Sequence, residues 1–305
     1  MKKIYKKCIK KGLRKLFMKY CVAIIMYNPT NANIKNINNY IELFDNIFIL
    51  DNSTDRKYSE KIIKQLNGKC TYISMMGNKG MSEALNKAFS KAYELKYDFI
   101  LTMDQDSCYD EENMKNMMTI IESSRDDRIA IFAANFRKTY YNGKEKKYGK
   151  FRVAGKEIKE EKMCITSGSW VKVTAVKKIL PLRNYFIGFV DNDISTSLIE
   201  NGYKLVTVGS SRFDQQVGKN VSNTYINRKF RVIKHDKIRY YYMSRNIRFY
   251  RDSHPKTNLF YYYYLWWIRI MLNILLFEEK KIEKLKYCYI GYKDYKYGSL
   301  GKYNN

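Results

Sequence analysis

From residue 20 onward, short apolar runs alternate with longer stretches in which apolar residues recur at helical spacing. The short runs predict strands over 21–26, 46–50, 70–75, 97–103 and 128–133. The longer stretches predict helices over 33–44, 57–66, 81–95 and 111–123. Strands that alternate with helices predict an α/β fold, with a mostly parallel sheet flanked by helices. The segment 140–162 is rich in charge and turn residues, which predicts a hairpin or loop over the site.

Polar residues follow each of the first four predicted strands, at the point where the strand ends. They are Tyr27-Asn28-Pro29, Asp51-Asn52-Ser53, Asn78-Lys79-Gly80 and Asp104-Gln105-Asp106. In a parallel sheet, ligands bind beyond the carboxyl ends of the strands. These four endings therefore predict one pocket for a polar ligand.

The fourth ending carries the sharpest chemical signal. On an extended backbone, residues i and i+2 point the same way, so Asp104 and Asp106 can face one ligand together. Two hard oxygen ligands suit Mg²⁺ or Mn²⁺ carrying a diphosphate. The alternative for an isolated Asp-x-Asp is a solvated turn after a strand.

Composition and charge narrow the function classes. The 305 residues include 57 Lys and Arg against 30 Asp and Glu, and the resulting charge of +27 favours anionic partners such as nucleic acid, anionic lipid or phosphorylated substrates. The six cysteines are scattered without a Cys-x-x-Cys pair, and only two histidines are present. This pattern argues against a zinc site and fits reduced thiols in the cytosol.

Both ends of the chain are basic. Residues 1–19 carry nine Lys and Arg at the spacing of a basic amphipathic leader helix, which fits either a membrane surface or a solvated helix packed on the body. Residues 231–305 are predicted to be a helical, aromatic, membrane-proximal extension. Tyrosine and tryptophan flanked by lysine are typical of the membrane–water interface, although an ordinary buried helix is the alternative. Arg269 argues against a simple transmembrane span.

Taken together and in order, the motifs of residues 20–250 resemble family 2 glycosyltransferases of the GT-A fold. The resemblance is closest to the rhamnosyltransferase-like branch, in which the metal motif commonly reads Asp-Gln-Asp-Ser. It rests on the strand endings and on Ala84-Leu85-Asn86, Leu101–Ser107, Ser167-Gly168-Ser169, Tyr185–Asp193, Arg239-Tyr240-Tyr241 and Arg245-Asn246. It implies a Rossmann-like nucleotide-diphospho-sugar transferase domain over 20–230, with a donor half at 20–135 and an acceptor half at 136–230.

The resemblance implies a set of donor-binding residues. Asp51 is expected to accept a hydrogen bond from the N3–H of a uracil or thymine base, and Asp106 to bind the metal. Asp104 is expected at the ribose or at a metal-bound water. Asn78 and Gly80 would let the backbone approach the nucleotide. The remaining donor-binding predictions are Tyr27, Asn28, Asn86, Arg245 and Asn246. For Arg245, a surface cation on an aromatic helix is the alternative to a phosphate ligand.

On the acceptor side, Asp191 matches the family's general base, and Trp170 and Asp193 are predicted to lie near the acceptor. The base takes the proton of an acceptor hydroxyl as that oxygen attacks the anomeric carbon. Without the resemblance, Asp191 would be interpreted as a helix cap.

Three positions depart from the family pattern. Gln215 stands where a histidine often binds the metal, and an amide oxygen is the weaker ligand. Gly188 replaces a usual aspartate, and Ser197 stands where an arginine is frequent. These differences make the reaction class a stronger prediction than the sugar.

The sequence therefore predicts an inverting glycosyltransferase that uses Mg²⁺ or Mn²⁺. The expected reaction moves L-rhamnose from dTDP-rhamnose to a lipid-linked or growing bacterial surface polysaccharide, with a UDP-hexose or UDP-galactofuranose as alternative donor. The protein is expected in the cytoplasm, peripheral on the inner face of the plasma membrane, without a nucleic-acid partner. A basic nucleic-acid-binding protein, or a scaffold that has lost activity, is the alternative outside this class.

Overall fold

The computed structural model describes residues 18–64, 68–142, 145–216, 235–257 and 260–303. The predicted leader helix over 1–19 falls outside the described residues except for Met18 and Lys19.

Four parallel strands form the first half of one central sheet, in the order β3-β2-β1-β4. Their bounds are β1 Tyr20–Met26, β2 Ile47–Asp51, β3 Cys70–Ser74 and β4 Phe99–Asp104. In the register, Met26 lies beside Asp51, and Ile25 lies beside Asp104. The strand ends predicted to be polar therefore lie at one edge of one sheet, and the predicted α/β class is confirmed.

Five helices accompany these strands: α1 Asn31–Lys35, α2 Asn38–Ile41, α3 Arg56–Ile63, α4 Met81–Glu94 and α5 Glu111–Ser123. The single helix predicted over 33–44 is two short helices. A capping box between Thr30 and Asn33 begins α1, and Asn36 ends it. The Asn36 side chain donates to the carbonyl of Ser107 over 2.6 Å, which attaches the junction of the two short helices to β5.

The second half of the sheet is mixed. β9 (Ser169–Lys172) runs antiparallel between β4 and β6 (Ile129–Asn142), and β6 pairs in parallel with β10 (Lys204–Gln216). Three short strands complete the sheet: β5 Ser107–Cys108, β7 Glu145–Tyr148 and β8 Ile158–Glu161. β6 and β7 form a hairpin inside the segment predicted as a hairpin or loop, and β6 crosses the predicted boundary between residues 135 and 136.

Both faces of the sheet are covered. Cys21, Ala23 and Ile25 of β1 pack on the face that carries α4, whereas Val22 and Ile24 pack on the face that carries α5. Successive side chains of a strand point to opposite faces, so a strand buried on both must be apolar throughout. This explains the uninterrupted apolar runs of the sequence.

The acceptor half adds α6 (Val173–Val176), a 3₁₀ turn at Lys177–Ile179 and α7 (Val190–Glu200), and three helices form the C-terminal region. These are α8 Lys237–Ser253, α9 Phe260–Phe277 and α10 Lys281–Lys296. Gly291 of α10 lies against the Tyr241 carbonyl of α8, where a side chain would collide. Among the described helices, none combines the length and the hydrophobicity that a bilayer crossing demands.

A buried histidine joins α8 to the acceptor half. His254 lies 2.9 Å from Asp193 and 2.8 Å from Glu200 through its two ring nitrogens. Burial alone would lower the pKa of His254, but the hydrogen bonds and negative charges of the two carboxylates raise it above 6.5. Folding therefore favours the imidazolium form of His254 between two residues of α7.

This ion network predicts a pH-dependent stability. Because folding raises the pKa of His254, its contribution is complete below about pH 6.5 and is lost as the pH rises through the folded-state pKa. We expect the free energy of unfolding of the wild type to exceed that of a His254→Gln variant most near pH 6, and the difference to shrink toward pH 9 by at most about 1.4 kcal/mol per pH unit. Urea denaturation across this range measures it.

His235 is a matched control with the opposite sign. Burial, together with the charge of Arg239, lowers the pKa of His235. Its neutral form is favoured by folding, so stability relative to His235→Gln should rise with pH. A difference between wild type and His254→Gln that stays constant over the range would contradict a charged His254.

Candidate active site

A tight turn brings the end of β4 and the start of α7 together. The backbone N–H of Asp104 donates to the Ser167 hydroxyl over 3.2 Å, and the backbone N–H of Thr166 donates to Asp191 over 3.0 Å. Asp104 and Asp191 thus hydrogen-bond to neighbouring residues of one turn. These two residues are separated by 87 positions in the sequence, yet the charge of Asp191 contributes to the raised pKa of Asp104, so the two carboxylates lie in one cleft.

The sequence fixes this turn through small residues. Gly168 has a φ of +77°, and a side chain there would collide with the ring of Phe213. Its backbone N–H donates to the Thr102 carbonyl over 2.9 Å. The Ser167 hydroxyl also lies 2.9 Å from that of Ser107. These contacts attach the turn to both ends of the acidic motif.

The cleft concentrates negative charge. Burial raises the pKa of Asp104 to about 7, and the charges of Asp106 and Asp191 add to the shift. Hydrogen bonds from Gln215 and Ser167 oppose it. Burial also raises the pKa values of Asp106 and Asp191. Carboxylates with raised pKa values in one cleft are typical of functional sites.

The oxygen atoms available in the cleft suit a divalent cation that also binds a substrate phosphate. Asp104 and Asp106 supply carboxylates, and Gln215, which hydrogen-bonds to Asp104, supplies an amide oxygen. Within the described residues, no group of three or more His, Cys, Asp or Glu side chains could hold a metal ion. Mg²⁺ is ordinarily held by one or two carboxylates together with substrate phosphates and water. Such a cation would offset the negative charge that is concentrated around Asp104.

Asp51 lies at the end of β2 and is only 1% exposed. Its carboxylate accepts hydrogen bonds from the Ser53 backbone at 2.9 Å, the Ser59 hydroxyl at 2.6 Å and the Tyr72 hydroxyl at 2.8 Å. Although burial would raise the pKa of Asp51, these donors lower it. The ionised form is therefore fixed in place, and its contact with a base stays a prediction.

The loop after β3 is attached to β2 and to the acceptor half. Asn52 accepts from the Lys79 backbone at 3.2 Å and donates to the Gly80 carbonyl at 3.2 Å. Asn78 accepts from the Gly80 backbone at 3.0 Å. A side chain at Gly80 would meet the Phe186 backbone at 2.5 Å. The glycine is thus required by Phe186, whereas the prediction had given the nucleotide as the reason.

Tyr27 and Asn28 occupy the end of β1. The Gln105 side chain joins this end to β4, since it accepts from the Tyr27 backbone at 2.9 Å and donates to it at 3.1 Å. The Tyr27 ring remains 46% exposed. Asn28 has a φ of +46°, and its buried Oδ1 has no hydrogen-bond partner among the described residues. A bound nucleotide would cover the exposed Tyr27 ring and donate a hydrogen bond to the Asn28 Oδ1.

Two predicted acceptor contacts are corrected by burial. Trp170 is fully buried in β9, where it packs against Tyr20 and Phe44 on the α5 face of the sheet. Asp193 is 3% exposed and accepts hydrogen bonds from Arg183 and Tyr185 in addition to His254. Both residues therefore support the fold rather than contact an acceptor in this structure.

Arg245 and Asn246, predicted to bind the donor, are also buried. The Asn246 amide donates to the carbonyls of Tyr185, Ile187 and Gly188 at 2.9, 2.9 and 3.2 Å. Arg245 donates to the Tyr185 carbonyl at 3.1 Å and to Asn246 at 2.9 Å. The predicted phosphate contact of Arg245 is therefore replaced by a structural one, and the pair positions the loop that precedes Asp191.

Asn86 has a comparable role on α4. Its amide donates to the Leu182 carbonyl at 3.2 Å and accepts from the Leu182 backbone at 2.7 Å. Both ends of the side chain are engaged by a loop of the acceptor half. The structure thus gives Asn86 a positioning contact, and its donor contact stays a prediction.

Sequence reasoning did not single out Arg239 or Ser167 as site residues. Arg239 lies one turn before Tyr242 and two turns before Asn246, on the face of α8 that contacts the 185–188 loop. Its charge opposes the rise of the Asp191 pKa, which places the guanidinium in electrostatic range of that carboxylate. The helical spacing of Arg239, Tyr242 and Asn246 was the available signal.

Comparison with solved structures supports the fold. The chain is similar to the crystal structure of GalNAc-T7 with UDP, GalNAc and Mn²⁺, with a TM-score of 0.53 at 16% sequence identity. The match covers 78% of this chain and 54% of that one, so this chain spans about half the length of GalNAc-T7. The curated proteins give no match.

The family comparison agrees with the site geometry. The model of glycosyl transferase family 2 matches residues 21–180, which is more than half of the chain. The matched region contains the four polar strand ends and the Thr166–Gly168 turn. With a mixed sheet of GT-A type and an acidic pair beside a third carboxylate, the chain belongs to glycosyl transferase family 2.

Proposed function

We propose that the protein is an inverting glycosyltransferase that moves a sugar from a nucleoside diphosphate to a hydroxyl of an acceptor. One observation supports the proposal: the Asp191 carboxylate, which accepts a hydrogen bond from the Thr166 N–H, is close enough to Asp104 for its charge to raise the pKa of that residue. Transfer requires a base at the acceptor and a site for the departing diphosphate, separated by one sugar. We assign the base to Asp191 on one side of this cleft and the diphosphate site to Asp106 on the other.

Asp191 acts as the general base. Burial raises its pKa, which makes the carboxylate a better proton acceptor at neutral pH, and the Thr166 N–H fixes its orientation. As the acceptor oxygen attacks the anomeric carbon, its proton passes to Asp191 and the bond from that carbon to the diphosphate oxygen breaks. A single in-line displacement inverts the anomeric configuration.

Asp106, with Asp104 and Gln215 beside it, would hold a divalent cation together with the donor phosphates. A cation there would stabilise the charge that develops on the leaving diphosphate. GalNAc-T7, the solved structure with a similar fold, contains Mn²⁺ and UDP. Both Mg²⁺ and Mn²⁺ suit the oxygen donors of this site.

L-rhamnose carried on dTDP is the proposed donor, supported by the Asp-Gln-Asp-Ser motif at residues 104–107. A UDP-hexose or UDP-galactofuranose is the second candidate, because a pyrimidine base suits the same pocket. A thermal-shift screen of nucleotide sugars with Mn²⁺ distinguishes them, since a selective ligand raises the unfolding temperature by mass action.

The acceptor is proposed to be a lipid-linked or growing bacterial surface glycan, met at the inner face of the plasma membrane. The exposed surface of α9 supports this. Its residues Leu265, Ile268, Leu272 and Leu276 recur at helical spacing and are 39% to 64% exposed. The opposite face of α9 packs through Ile270 and Ile274 onto α8 and α10.

Charge around this apolar stripe suits an anionic bilayer. Lys280, Lys281 and Lys286 are exposed just beyond α9, and Ile282 between them is 85% exposed. Each basic residue near anionic lipid contributes about 1 kcal/mol. We therefore propose that α9 lies in the interface with the stripe toward the acyl chains.

The base assignment predicts a selective loss of turnover. Asp191→Asn keeps an oxygen that can accept from the Thr166 N–H but cannot take a proton. We expect nucleotide affinity to remain and turnover to fall by about 100-fold or more, measured by product formation and by calorimetry. Normal turnover in this variant would rule out Asp191 as the base.

The metal site predicts a metal-dependent loss of affinity. Asp106→Ala removes the exposed carboxylate of the acidic pair, so nucleotide binding in Mn²⁺ should weaken by about tenfold or more, whereas binding in EDTA should change little. Glu112→Ala, which removes an exposed carboxylate of α5, is the control. Equal calorimetric affinities of wild type and Asp106→Ala in Mn²⁺ would refute the ligand role.

The membrane proposal predicts a loss of vesicle binding. Leu272→Glu/Leu276→Glu places two charges in the stripe, and we expect binding to phosphatidylglycerol vesicles to weaken by at least about tenfold in sedimentation assays. Ile63→Glu alters an isoleucine that is 52% exposed on α3 and should leave binding unchanged.

The same samples show whether a bilayer or a second copy of the protein covers the apolar stripe of α9. Wild-type protein that binds anionic but not phosphatidylcholine vesicles supports the bilayer. Wild-type protein that ignores both, and is a dimer in light scattering that the double variant dissociates, would show instead that a second copy covers the stripe.

A further inference from the structure

A cavity of about 610 Å³ lies beside the loop that follows β3. Its walls include Thr54, Asn78, Lys79, Asn184 and Lys302. The volume lies within the range of small-molecule sites, roughly 300–1,000 Å³. Three parts of the chain therefore meet around one opening: the donor half, Asn184 just before the 185–188 loop, and the C-terminal tail at residues 301–303.

The tail is attached on both sides of Lys302. The Gly301 N–H donates to the Asn184 carbonyl at 2.7 Å, and the Gly301 carbonyl accepts from Arg245 at 2.9 Å. On the other side, the Tyr303 N–H donates to the Tyr242 hydroxyl at 2.8 Å. These hydrogen bonds fix the backbone on both sides of Lys302, so its exposed side chain stays at the cavity wall.

The chemistry of the walls suits a nucleotide. Lys79 and Lys302 bring two positive charges against the single carboxylate of Glu83, while Met75 and Met76 supply apolar surface. Ammonium groups bind phosphate and carbonyl oxygens, and apolar side chains contact a flat base. A lipid chain would leave the two charges unpaired, and an isolated phosphate would not use the methionines.

We infer that Lys302 of the C-terminal tail, together with Lys79, binds the nucleotide portion of the donor in this cavity. The inference rests on the proposed function, because it assigns further residues to the same donor. It makes the C-terminal region part of donor binding as well as a surface for the membrane. Asn78, a predicted donor residue, already lies in the same wall.

Lys302→Met tests the inference, because it retains most of the aliphatic stem and removes the charge. We expect the calorimetric affinity for UDP or dTDP in Mn²⁺ to fall by roughly tenfold or more, the usual effect of losing one hydrogen bond to a charged group. Lys302→Arg should keep affinity within about twofold. Lys87→Ala removes an exposed lysine of α4 outside the cavity and serves as the charge-matched control.

The outcomes separate this inference from the proposed function. Wild-type protein that binds nucleotide, with Lys302→Met and Lys79→Met both binding equally well, would overturn the inference alone. Wild-type protein that binds no nucleotide would overturn the proposed function and the inference with it. An unchanged thermal unfolding midpoint shows that a weakened variant is folded.

Discussion

The loop before Asp191 is held in a strained shape, and the active-site geometry depends on the contacts that hold it. Phe186 and Phe189 both have a φ of +65°, a conformation that costs a residue with a side chain on the order of 1–3 kcal/mol. Such strain persists only where the surroundings determine it. Here Asn246 donates to three loop carbonyls from one side, and the Met81 N–H donates to the Phe186 carbonyl over 2.6 Å from the other.

This constraint makes the packed unit around the cleft larger than the region that the family model matches. The family match ends at residue 180, before Asp191, and the helix that holds the 185–188 loop begins at Lys237. The donor half contributes through Gly80, where a methyl group would collide with Phe186. The loop at Gly80, the 185–188 loop and α8 therefore pack against one another. A substitution in α8 that shifts the 185–188 loop would also shift Asp191.

Apolar runs and their polar endings were sufficient to predict β1 to β4, the start of β6 and the sheet edge that carries Asp104 and Asp106, whereas Asp191 was identified only through the family resemblance. The parallel direction of these strands follows from their alternation with helices, and the uninterrupted apolar runs follow from burial on both faces of the sheet. The directions of individual side chains could not be predicted in this way. Trp170 and Arg245 were predicted to contact substrates, but both contact buried partners that are distant in the sequence. Tyr20, which packs against Trp170, lies 150 positions before it. Buried contacts between distant segments decide whether a polar or aromatic side chain faces a ligand or the core.

Charge organises the molecule at two scales. The chain carries +27, yet the cleft holds three carboxylates, one with a pKa raised to about 7. The field of surface lysines extends over about a Debye length, near 8 Å at physiological salt, so it favours anionic ligands at the surface and does not neutralise a buried carboxylate. The acidic cleft alone would repel a diphosphate. A cation held at Asp106 would convert that repulsion into attraction, which is the electrostatic argument for joint binding of metal and donor.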